Sequence, residues 1–271
     1  METSQRRRED GPLRSVLVAA GLTILGLLVA NFTTLPAFLL DPALLESPAD
    51  ASRAARSVLL ILNFVGFALA GAIYLAATDH GWAYVDLRMP SKRGWKYVGI
   101  GIVAILAFYF LVSIVVSTLS LPSSENQVMS YIDDDPTMVL IMIAIVFFFN
   151  APAEEFLFRN IVQKRLYAAF SRLQAVVIAS VIFGLVHFPS YALLSDSMLA
   201  TAVPLATVTG GALVFGYLYA KTDNLLVPIV SHATFNAFQF GLLYLALEYD
   251  LFEEAQPTAD AVVDALAAVP L

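Results

Sequence analysis

The chain has 271 residues, of which 59% are hydrophobic and only 14% charged, with a mean hydropathy of +0.77; a soluble domain is about half apolar and about a quarter charged. No single soluble core hides that much apolar surface, so the composition excludes an ordinary soluble globule and predicts an all-α, polytopic transmembrane helix bundle. The absence of cysteine excludes disulfides, iron-sulfur clusters and Cys-ligated zinc, and a net charge of -7 argues against a nucleic-acid partner.

A helix needs about 20 apolar residues to cross the hydrocarbon core. On that measure about seven spans are predicted, within a range of six to eight: 15–40, 58–78, 95–119, 137–161, 173–188, 198–220 and 225–248. This divides the chain into an N-terminal three-span region (1–136), a four-span core (137–248) and an acidic tail (249–271). The Arg-rich start also fits a secretory leader, but the apolar run is too long and lacks a small-residue cleavage site. The sequon Asn31-Phe32-Thr33 falls inside the first span, where glycosylation is not expected.

Short cytoplasmic loops collect Lys and Arg. Thirteen of the 15 basic residues lie in the N-terminal tail (Arg6, Arg7, Arg8, Arg14) and on alternate loops (Arg88, Lys92, Arg93, Lys96; Arg159, Lys164, Arg165, Arg172; Lys221). The opposite loops hold only Arg53 and Arg56, beside Asp41, Glu46, Asp50, Glu125 and the run Asp133, Asp134, Asp135. The N-terminus is therefore predicted to be cytoplasmic, in a multi-pass protein of the cell membrane.

Ionisable groups inside a span cost roughly 2.5 to 3.5 kcal/mol each on insertion scales, which makes them functional candidates. The fourth span carries Asn150-Ala-Pro152-Ala-Glu154-Glu155-Phe-Leu-Phe158-Arg159, the fifth ends Phe183-Gly184-Leu-Val-His187, and the seventh holds His232-Ala-Thr-Phe-Asn236. Residues four apart share a helix face. Glu155 is thus expected to pair with Arg159, leaving Glu154 turned toward the bundle interior; His232 and Asn236 share one face, and Phe183 walls His187. Pro152 either kinks the helix or lets a new turn start with Asn150 as its cap. Each feature also has a plain structural reading: a surface ion pair, interhelical hydrogen bonds, packing phenylalanines. His80 reads as a solvated loop residue beside Asp79, and Gly210, Gly211, Ala212 and Gly216 as close-packing positions.

A carboxylate in an apolar cavity beside a histidine can activate water, which makes Glu154 the candidate general base. An imidazole and an amide one turn apart can donate to a growing oxyanion, and the combination suggests amide hydrolysis. The covalent alternatives are weak, since there is no Cys and no Gly-x-Ser-x-Gly elbow. Glu154, His187 and His232 are also an admissible zinc set, although no HExxH motif is present.

The ordered series Glu154-Glu155-x-x-Phe158-Arg159, Phe183-x-x-x-His187 and His232-x-x-x-Asn236 resembles the motifs of the CPBP intramembrane protease family. That family comprises CAAX prenyl endoproteases and their bacteriocin-processing or immunity-related relatives. The resemblance covers roughly 137–240 and implies an all-helical endopeptidase cutting near the cytoplasmic face. It implies Glu154 as the water-activating group with His187 assisting, and His232 with Asn236 as the oxyanion site. Glu155 and Arg159 become a supporting pair. No cofactor is favoured, with zinc the alternative. Membrane lipids and a membrane-bound peptide or protein, prenylated or not, are the expected partners; the oligomeric state stays open.

Two other classes compete. A proton-coupled transporter would use the intramembrane Glu, His and Arg as a relay, and would show inverted repeats, which are not seen. A non-catalytic immunity or scaffold protein would keep the fold and tolerate loss of Glu154. The predicted boundaries also leave a mismatch. Glu154 and His232 lie about 10 Å from the cytoplasmic ends of their spans, and His187 more than about 20 Å along its own. Either the fifth helix starts in the cytosol and tilts, or it is broken around Gly184 and Pro189.

Overall fold

The computed structural model describes residues 10–78 and 80–249. Arg6, Arg7, Arg8, Asp79 and the acidic tail from 250 onward lie outside the described residues. The described residues are 81% helix, with no strand among them. Among them, six helices are long and apolar enough to cross a membrane. We label the principal helices α1 (Pro12–Leu40, with a turn at Thr34), α2 (Arg53–Ala77), α3 (Lys92–Thr118), α4 (Pro136–Leu166), α5 (Arg172–Val186), α6 (Met198–Thr222) and α7 (Leu226–Glu248).

Most helix starts are written locally. Ser52, Ser91 and Ser197 each accept a backbone N–H three residues on, Asp135 accepts from Thr137 and Met138, and Ser171 forms a capping box with Gln174. The fifth predicted segment differs from the other six. Helix α5 has 15 residues, about 22 Å at 1.5 Å per residue, less than the roughly 30 Å hydrocarbon thickness. It stops at Val186, turns at His187 and resumes only as the short helix Phe188–Ala192 with Pro189 in its first turn. The histidine therefore stands at a break and not within a span, because proline favours the first turn of a new helix over the interior of an old one.

The extension of α4 to Leu166, five residues past the predicted end, narrows the depth mismatch between Glu154 and His187. Glu154 stands about 18 Å from the basic-loop end of its helix and His187 about 22 Å from the start of α5, while His232 lies about 9 Å into α7.

In lipid, helices associate by close packing at small residues, since burying apolar surface yields little there. A Cβ on Gly66 would lie 2.4 Å from Ala30 Cα, so α1 and α2 touch backbone to backbone, and Thr33 bonds across to the Leu62 carbonyl at 2.8 Å. A Cβ on Gly184 would lie 2.0 Å from Thr209 Oγ1, which is how α5 lies flush on α6. The most apolar stretch of α7 is 56% buried, against 22% for α1 and for α3; α7 is thus a central helix, and its side chains face the others.

The two ends of the bundle are closed by different polar contacts. At the basic end, Asp86 accepts from Lys164 (2.8 Å) and Tyr219 (2.6 Å), its N–H donates to Asn160 (2.9 Å), and its carbonyl accepts from Leu225. Arg165 pairs with Asp10 and Arg172 with Asp223. At the acidic end, Arg53 and Arg56 both pair with Asp135, and Arg56 also donates to the Tyr131 carbonyl. The only two basic residues that depart from the charge bias are therefore neutralised where they stand. His80 is exposed, as expected, and its ring stacks on Tyr84 with centroids 4.4 Å apart.

Candidate active site

Helix α4 does not restart at Pro152. It runs on through two π-helical stretches, Val146–Asn150 and Phe156–Gln163, on either side of the α-helical Ala151–Glu155. Proline has no N–H to give and its ring crowds the carbonyl four residues back; a wider turn relieves both and re-aims the side chains that follow. Asn150 makes no capping bond. Its side-chain oxygen instead accepts from Asn236 Nδ2 at 2.9 Å.

The two adjacent glutamates take different partners. Glu155 is fully buried, accepting from Arg159 Nε at 2.9 Å through one oxygen and meeting His232 Nδ1 at 3.0 Å through the other. Arg159 is also fully buried, and its guanidinium lies 5.1 Å over the Phe183 ring, a cation–π contact that adds to the ion pair. Its two terminal nitrogens make no hydrogen bond among the described residues. Glu154 points the other way, with Oε2 3.9 Å from His232 Nε2, too far for a direct hydrogen bond and within reach of one bridging water.

The hydrogen bonds also fix which ring nitrogen carries the proton. A carboxylate only accepts, so His232 Nδ1 donates to Glu155 and Nε2 faces Glu154. The Phe183 carbonyl accepts from His187 Nδ1 at 2.8 Å, so neutral His187 keeps a lone pair on Nε2. Phe215 stacks on His232 with centroids 4.7 Å apart, and Phe183 lies 4.7 Å from the His187 ring, the wall the sequence predicted.

Glu154, His187, His232 and Asn236 line one narrow cavity of about 30 Å³, walled by Tyr109, Phe183 and Phe215 among others. That is room for one or two waters. Glu154, His187 and Asn236 also border a wider chamber of about 290 Å³. Every candidate residue named from sequence thus falls in one cluster or, for Glu155 and Arg159, directly behind it. Asn150 is a site residue that the sequence reading considered only as a cap, one of two alternatives at Pro152. Its signal was a lone amide in Phe147-Phe148-Phe149-Asn150, four residues before Glu154 and so on the same face.

Among the described residues no group of three or more His, Cys, Asp or Glu side chains is spaced to hold a metal ion. Nδ1 of His232 is taken by Glu155 and Nδ1 of His187 by the Phe183 carbonyl, which leaves Nε2 as the available nitrogen of each ring.

Fold and site together define a multi-pass helical membrane protein with a buried Glu, His and Asn cluster. Residues 136–238 match the family profile described as type II CAAX prenyl endopeptidase Rce1-like. An 85-residue stretch is 38% identical to a Bacillus subtilis (strain 168) protein described as "Putative membrane peptidase YdiL", covering 31% of this chain and 30% of that one. Both matches support the CPBP intramembrane protease family, and the support lies in this segment. No solved structure gives a significant match.

Proposed function

We propose that the protein is a membrane-embedded endopeptidase in which Glu154 activates a water molecule for attack on a peptide carbonyl. The observation that carries this reading is the convergence of Glu154, His187, His232 and Asn236, from three separate helical segments, on one cavity. In this scheme the water gives a proton to the Glu154 carboxylate as its oxygen bonds to the carbonyl carbon. The negative charge that develops on the carbonyl oxygen is met by the remaining N–H of Asn236 and, in the form of His232 that carries a proton on both ring nitrogens, by its Nε2–H. Glu154 then returns that proton to the leaving amine, directly or by way of His187 Nε2, and the C–N bond breaks. Glu155, held by Arg159, orients His232 and offsets the charge of its imidazolium. A CAAX-type prenylated C-terminus is one substrate consistent with the family; any membrane-associated peptide fits the same chemistry.

The test is cleavage, in detergent or liposomes, of a prenylated CAAX peptide and a mixed membrane-peptide library by wild type and Glu154→Gln, each with and without a strong chelator. A general base contributes about 10² to 10⁴ in rate, so Glu154→Gln is expected to lose that much while melting like wild type, with chelator harmless. Activity abolished by chelator and restored by zinc replaces this mechanism with a metal-dependent one. No cleavage by wild type, or an unimpaired Glu154→Gln, overturns the proposal and favours transport or a non-catalytic role.

A further inference from the structure

Asn150 belongs to none of the three motifs that mark the site, yet it is bonded to two of the residues that do. It stands at the end of the π-helical stretch Val146–Asn150, with its side chain turned inward and 4% exposed, while Phe147 and Phe148 face out of the bundle. Its Oδ1 accepts from Asn236 Nδ2 at 2.9 Å. Its side chain also hydrogen-bonds the carboxylate of Glu154, one turn further along the same helix.

The chemistry of these groups fixes the direction of both bonds. An ionised carboxylate only accepts, so Asn150 turns its Nδ2 toward Glu154 and therefore its Oδ1 toward Asn236. Asn236 must then donate. One of its two Nδ2 hydrogens is taken by Asn150, and the other is left for the narrow cavity that Asn236 lines with Glu154 and His232.

The two ends of a primary amide have nearly the same shape and opposite polarity. Turned over, Asn236 would hold the lone pairs of its Oδ1 against the oxyanion in place of an N–H, and would repel the charge it is there to meet. A plain interhelical bond between α4 and α7 needs no particular polarity. In this one the polarity is set by the general base itself.

We infer that Asn150 is a positioning residue: it orients the Asn236 amide so that an N–H and not an oxygen faces the oxyanion, and it ties that orientation to the Glu154 carboxylate. The inference rests on the proposed function, in which Asn236 meets the developing charge and Glu154 activates the water. Asn150 itself touches neither the water nor the substrate.

The test compares wild type with Asn150→Leu, which is close to asparagine in size and has no polar side-chain atom, with the smaller Asn150→Ala, with Asn236→Ala and with the double variant Asn150→Leu/Asn236→Ala. The substrate is whichever peptide of the prenylated CAAX and membrane-peptide set the wild type cleaves, and each variant is assayed well below its unfolding midpoint. Removing an oxyanion donor outright costs about 10² to 10³ in kcat, and Asn150 acts through that donor, so Asn150→Leu is expected to lower kcat by about 10- to 100-fold. KM is expected to stay within about twofold of wild type, as it does when an interaction made only in the transition state is lost. In the Asn236→Ala background Asn150→Leu is expected to cost about fivefold less than in wild type, because the group it orients is gone. Equal losses in the two backgrounds mark a packing role and overturn the inference, as does a wild-type kcat in Asn150→Leu or a loss carried by KM. If Asn150→Leu does not fold, Asn150→Ala takes its place in the same cycle. A wild type that cleaves no peptide overturns the proposed function and this inference with it; cleavage that needs Glu154 but not Asn150 overturns this inference alone.

Discussion

Toward the basic loops, Lys164, Tyr219, Asn160 and Asp86 are bound to one another within 2.6 to 3.3 Å, and the helices close around them. Toward the acidic loops side-chain amides border a chamber of about 290 Å³, several of them also bonded to protein: Asn31 donates to the Leu27 carbonyl, Asn126 accepts from Val128 N–H and Asn236 donates to Asn150. The same bundle thus ties its polar residues to one another at one end and arranges them around a cavity at the other. Glu155 and Glu154 sit at the boundary and repeat the contrast one residue apart, the first bound to Arg159 and His232, the second aimed at a cavity. A buried polar group that is satisfied by protein stabilises the fold, and one that faces a cavity is free to act on something else.

The contrast makes a graded set of expectations. Glu155→Gln leaves the Arg159 charge buried without its counterion, which costs about 3 to 5 kcal/mol when one member of a buried pair is removed; thermal unfolding in detergent should show a large loss of stability. Wild-type stability in that variant would remove Glu155 from the cohesive class. Asp86→Asn weakens the contacts to Lys164 and Tyr219 and should cost about 1 to 3 kcal/mol in the same assay.

At the acidic end, Asp135 caps α4 and binds Arg53. The hydrogen bond from Arg53 chiefly, with the backbone N–H groups of Met138 and Thr137, holds its carboxyl below the ordinary 3.8. Because the folded value is the lower one, this contribution is complete above that pH and is lost as pH falls below it. Asp135→Ala should lower stability by about 0.5 to 2 kcal/mol at neutral pH, as lost caps do, and should flatten the acid limb; an unchanged limb would show that the cap carries no stability. The smallest effect is expected at Asn63→Ala, within about 0.5 kcal/mol of wild type in stability. A loss as large as that of Asp86→Asn would place Asn63 among the cohesive residues and erase the distinction.

Much of the site was legible because helical spacing is a strong constraint. Glu155 to Arg159 and Phe183 to His187 are four apart, and the structure pairs both couples as spacing required. The cap alternative for Asn150 had a local reason, since Asn before Ala-Pro is a good helix start. The structure instead widens the helix into π turns and gives Asn150 a partner on α7, Asn236, which no local rule contains.

The sequence by itself determined the membrane setting, the helical class, the placement of charge on alternate loops and the identity of the clustered residues. These follow from hydropathy, the cost of charge in lipid and the 3.6-residue repeat, all of which act along the chain. Only the tertiary structure decided that the fifth segment stops short at His187 and that α4 runs past its expected end. It also decided that His232 is oriented by Glu155, and that the chamber before Glu154 lies at the acidic end. Each of those depends on which helices meet, and contacts such as Gly184 against Thr209 or Asn150 with Asn236 join residues 25 and 86 positions apart, beyond the reach of any repeat.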